Sequence, residues 1–193
     1  MAIVAIAAVL LAGAVVWLTQ PPAVHSDGSG PLGSLGGPGH ESMSVNPQGM
    51  RERSWTYGLR LCIAQGDDPA ILQRVDPLAT VGTGFRLVGS GVRTFTPTPD
   101  HEPIISVDSF PPPASEVPDT LAPVEGYTVD TPCNNDPRAP YTELLVGLAM
   151  QGDDGGGWKG IKIVYEVHGR TRTVTLDHDL LICGPSNPVC DGG

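Results

Sequence analysis

The sequence predicts an all-β fold, a disulfide-bonded β-sandwich carried behind an N-terminal transmembrane helix, with one short helix near residues 68–75. Three observations predict it. The chain holds 25 glycines and 20 prolines in 193 residues, about twice the usual share of roughly 12% for the two together. That density interrupts long helices and favours short strands joined by turns. The second observation is apolar–polar alternation in the longer runs after residue 51, the period-2 pattern of half-buried strands. The third is that all four cysteines, Cys62, Cys133, Cys183 and Cys190, follow a long apolar N-terminal segment. An even count beyond such a segment reads as disulfides in an oxidising compartment.

Composition narrows the function classes. Aromatic residues make up 5% of the chain, so the core must rely on Val, Leu, Ile and Ala. The formal charge of -10 repels nucleic-acid phosphates and anionic lipid headgroups and disfavours nucleic-acid binding. Nine arginines against two lysines, with abundant Ala, Gly, Pro and Val, read as the product of GC-rich bacterial coding. No Asn-x-Ser/Thr sequon occurs.

Residues 1–19 are expected to form a membrane anchor. Ala2–Leu18 is seventeen residues without a charge or a strongly polar side chain, at the short end of the 17–25 that span a bilayer, and Trp17 suits an interfacial position. A buried core helix fits such an all-round apolar segment at this place less well. A cleaved signal sequence is the main competitor, because Ala12-Gly13-Ala14 has the small-x-small form of a cleavage site. Against cleavage, no Lys or Arg occurs before Arg51, so the positive n-region is missing. Either other features set the orientation or the natural chain begins upstream. Residues 20–50, rich in Gly, Pro and Ser, read as a flexible tether spanning roughly 30 Å. His25 and His40 within it read as solvated.

Residues 51–193 read as the extracytoplasmic β-rich domain. "WTYGLRLCIA" (55–64) alternates as a strand, with Leu59, Leu61 and Ile63 on one face and Arg60 and Cys62 on the other. "DDPAILQRV" (67–75) reads as the short helix, with Asp68 as N-cap, Pro69 at its first position and Pro77 stopping it. "TGFRLVGSGVRTFTP" (83–97) reads as a hairpin about Gly89-Ser90-Gly91 or an irregular strand pair, and "IISVDSF" (104–110) as a strand. "FPPPASEVP" resembles a polyproline ligand, though a stiff surface loop is the preferred reading. "GYTVDTPC" (126–133) suggests a short strand, and "ELLVGLAM" (143–150) a buried one.

"IKIVYEV" and "RTRTVTL" are separated only by His168-Gly169, the length of a tight hairpin turn. Pairing across it sets Val167 opposite Arg170, Tyr165 opposite Arg172, Ile163 opposite Val174 and Ile161 opposite Leu176. That register separates a mostly apolar face from a mostly polar one. Continued in regular alternation, it turns His178 to the apolar side and leaves Asp177 and Asp179 as a solvated edge. The Asp-His-Asp run then does not converge on a site unless a bulge intervenes.

Three disulfide pairings are open. Cys62 with Cys183 and Cys133 with Cys190 is the favoured one, each bond worth about 2–4 kcal/mol. Neither metal nor catalytic signatures are met. No C-x₂₋₄-C pair exists for zinc, and no His or Met follows Cys183 for a blue-copper site. "GDDGGGWKG" departs from a phosphate loop because Gly160 follows Lys159 and a strand, not a helix, comes next. Asp153-Asp154 lacks the spaced ligands of a calcium loop. There is no G-x-S-x-G elbow, and Ser106, Ser109, His101 and Asp108 are neighbours in sequence only. No cofactor is expected.

The function expected is that of a membrane-anchored, single-pass, extracytoplasmic structural or interaction protein of a bacterial envelope, non-catalytic, contacting the membrane through residues 2–18 and an envelope protein through its domain. A small-ligand carrier or sensor with a pocket between the sheets is the alternative. A secreted enzyme using scattered carboxylates with His101 or His178 ranks third.

Overall fold

A computed structural model describes residues 24–25, 30–35, 41–45, 54–98, 103–104, 106–117, 120–134, 136, 138–152 and 154–183. Among them twelve strands follow in order: β1 Val24–His25, β2 Leu32–Leu35, β3 Glu41–Val45, β4 Ser54–Ile63, β5 Ala70–Val81, β6 Phe85–Phe95, β7 Ser106–Val107, β8 Thr128–Val129, β9 Tyr141–Met150, β10 Gly156–Val167, β11 Arg170–Leu176 and β12 His178–Ile182. They build two sheets. Sheet A has the order β1-β2-β4-β9-β6 with β7 also against β4, and sheet B the order β3-β12-β10-β5-β8 with β11 also against β10. All these pairings are antiparallel except β3 with β12. The expected transmembrane segment, residues 2–18, lies outside the described residues, as do His40, His101, Asp153 and Cys190. No helix among the described residues is long and apolar enough to cross a membrane.

One core fills the space between the sheets. Trp55, Tyr57, Leu59, Leu61 and Ile63 of β4 and Leu144, Val146 and Leu148 of β9 meet Trp158, Ile161, Ile163 and Tyr165 of β10. Alternation puts every second side chain of a strand on one face, so odd positions of β4 and even positions of β9 point inward. The β10–β11 hairpin adopts the expected register at all seven pairs, from Val167–Arg170 to Ile161–Leu176. Its turn residues His168 and Gly169 have φ of +50° and +71°, the double positive φ of a type I′ turn.

The helix expected near residues 68–75 is instead strand β5. It pairs with β10 from Ile71 to Val81, and burial of Ala70 and Leu72 against the core outweighs the capping pattern at Asp68-Pro69. Pro77 does not end it. Opposite Ile161, it sits on a strand whose other side is paired, among the described residues, only at Ala70 and Ile71, where a missing N–H is tolerated. The hairpin expected about Gly89-Ser90-Gly91 is also overturned, because these residues lie within the single strand β6. A register shift between Leu87 and Gly89 inserts Val88 as a bulge. It turns Phe85 inward before it and Gly89, Gly91, Arg93 and Phe95 outward after it. Among the described residues of 104–110, only Ser106–Val107 is strand. Within the stretch read as tether, β1, β2 and β3 extend the two sheets, and Leu32–Leu35 is buried throughout.

The outer face of sheet A is covered by a strap whose described residues, 103–104, 106–117 and 120–124, cross it from β4 to β6. Ile104, Val117 and Leu145 form a second apolar cluster there. Beneath the strap the sheet is notched with glycine. The Ile104 carbonyl lies over Gly58, the Phe110 ring over Gly89 and Gly147, and Leu121 over Gly91. Gly89 and Gly147 are register partners, so together they make one depression for one ring. The strap is tied down by Thr56 Oγ1 donating to the Ser109 carbonyl, Phe110 N donating to Ser54 Oγ at 3.3 Å, and reciprocal 2.9 Å bonds between Val92 and Ala122.

A Cβ on Gly147 would overlap the Phe110 ring. Gly147→Ala is therefore expected to cost about 1–3 kcal/mol by overpacking. The same change in a Phe110→Ala background should cost clearly less. Urea unfolding of the four proteins of this cycle measures the coupling, and simple additivity would refute the seating of the ring.

Candidate functional site

Among the described residues, chemistry-bearing side chains cluster in two places, both at sheet positions set by strand register. The first is a rung across sheet A. Arg60 of β4, Glu143 of β9 and Arg93 of β6 are paired side by side, all on the outer face. Glu143 is wholly buried and Arg93 nearly so. Arg93 Nε donates to Glu143 Oε2 at 2.6 Å, and Arg93 Nη2 lies 2.6 Å from the same oxygen without the alignment of a hydrogen bond. Glu143 Oε1 accepts the Ile104 N–H at 2.7 Å. The carboxylate thus holds the start of the strap. The Arg93 guanidinium also rests over the Phe95 ring, 4.6 Å from its centroid, and Arg60 lies 5.9 Å from the Tyr141 ring centroid.

Enclosure dominates the electrostatics of this rung. Burial pushes the Glu143 carboxyl above its ordinary range, while the Arg93 charge, its hydrogen bond and the Ile104 N–H pull it down by less. Tyr141 is pushed above the usual phenol range, first by burial and then by the Glu143 charge. A carboxylate sealed in this way neutralises a buried arginine and fixes a loop. It does not meet solute while the strap is seated.

The second place is the Asp177-His178-Asp179 run. Leu176 pairs with Ile161 but Leu180 pairs with Trp158, so three residues face two and the chain bulges between β11 and β12. The bulge breaks the expected alternation. Asp177 is exposed, whereas His178 and Asp179 are both 4% exposed. His178 lies on the apolar side as expected, though buried rather than half-buried; Asp179 is not the solvated residue expected. Its Oδ1 accepts the Gly160 N–H at 2.9 Å, closing the bulge. The His178 carbonyl accepts Trp158 Nε1–H at 3.1 Å, and His178 Nδ1 lies 3.5 Å from the Tyr57 hydroxyl, the outer limit of a hydrogen bond. The run is used to join two strands, and its three side chains do not converge.

The cysteines pair differently from the favoured scheme. Cys62 is bonded to Cys133, which overturns both Cys62–Cys183 and Cys133–Cys190. Topology gives the reason. Cys62 lies on the outer side of sheet A and Cys183 just past the end of β12 in sheet B, whereas the segment after β8 returns to β4. There Ile63 N donates to the Thr131 carbonyl at 2.8 Å and Cys133 N to the Ile63 carbonyl at 2.9 Å. Cys183 is disulfide-bonded as well.

Ser106 and Asp108 are exposed, and the Ser109 hydroxyl donates to the Pro111 carbonyl at 3.2 Å, so these residues serve the strap. The Phe of "FPPPASEVP" is occupied by the glycine depression. Among the described residues no group of three or more His, Cys, Asp or Glu is placed to hold a metal ion. Sequence reading passed over Arg60, Arg93 and Glu143. The signal was available only after register was known, since the three charges lie far apart in sequence and meet only across neighbouring strands. No family model matches the chain, and no curated protein is similar to it.

Glu143→Ala strands Arg93 in the interior and is expected to cost about 3–5 kcal/mol. Because burial raises the folded carboxyl above its unfolded value, the folded state holds that proton more tightly. Stability from Glu143 is then full at pH below the ordinary glutamate range and declines as pH rises through the folded value. The difference in urea midpoint between wild type and Glu143→Gln should fall with pH across that window, and an opposite slope would contradict the direction of the shift. Removing the 71-residue Cys62–Cys133 link by Cys62→Ala/Cys133→Ala is expected to cost about 4 kcal/mol from loop entropy, read by the same unfolding assay.

Proposed function

We propose that the protein is a membrane-anchored, extracytoplasmic interaction module of a bacterial envelope, structural rather than catalytic. The observation that carries this reading is where the fold places its reactive groups. Glu143 and Arg93 compensate each other beneath the strap, His178 and Asp179 join strands β11 and β12, and Cys62 and Cys133 are oxidised. Each is committed to architecture, so the surface presented to a partner is a rigid disulfide-tied sandwich. Oxidised cysteines favour a compartment outside the cytoplasm. Ala2–Leu18 would reach about 25 Å as a helix, close to the roughly 30 Å hydrocarbon thickness, and supplies the anchor in this reading.

The test is expression of the full chain in a bacterial host, followed by fractionation and intact mass without reductant. The expected outcome is alkali-resistant membrane association, a retained N-terminus, a mass short by the hydrogens of two disulfides, and digestion of the domain by protease added outside spheroplasts. A chain released into the medium with its start near Val15, or one with four reactive thiols, would overturn the anchored reading.

A further inference from the structure

We draw no further inference here: the strongest candidate, the apolar slot between β5 and β6 where Val75, Pro77 and Leu87 border the core at Trp158 and Ile161, carries nothing because nothing among the described residues shows what covers it.

Discussion

Strand β9 is buried from Tyr141 to Leu148 on both faces, and a strand in that position needs a cover on each side. Sheet B supplies one cover through the main core. The strap supplies the other, and it does so without a third sheet because β4, β6 and β9 give up side chains where it crosses. Glycine at 58, 89, 91 and 147 lowers the surface of the sheet, and Ile104, Phe110 and Leu121 fill the space. The arrangement lets a chain with few aromatic residues bury a strand twice. It also makes the strap part of the fold and not an appendage, because removing it would expose Leu145 and the Arg93–Glu143 pair together.

The polar groups follow the same logic of enclosure. A buried ion pair seldom contributes much net stability, because desolvation offsets the attraction. What Arg93 and Glu143 provide is position. The second carboxylate oxygen holds the Ile104 N–H, and a register error of one residue on β6 would turn Arg93 into the apolar core. At the other sheet, Asp179 performs a comparable task by satisfying the Gly160 N–H that the bulge leaves without a ladder partner. Each buried acid thus fixes a place where the backbone departs from regular pairing.

Much of this was legible in the sequence. Alternation at 55–64 and across 161–176 fixed facing and register, since both stretches show one apolar face with a sharp boundary. The failures came where a local signal competed with a distant one. Asp68-Pro69 is a sound helix start, but the pairing of β5 with β10 is a tertiary gain that local propensity does not register. Gly89-Ser90-Gly91 has turn composition, yet its glycines are there for the Phe110 ring and for Leu121, two elements away. Asp179 was misassigned because alternation was carried across a bulge that no residue type announces.

The parallel pairing of β3 with β12 has a consequence for the birth of the molecule. Sheet B joins residues 41–45 to residues 178–182, so its order is set only when the later strand has been made. At synthesis rates of about 5–20 residues per second, the earlier strand waits on the order of ten seconds for its neighbour. Long-range pairing of this kind also slows the folding search itself. During that interval the edge of β3 is open to whatever strand is nearby, and fidelity then rests on the timing of chain delivery as much as on the final contacts.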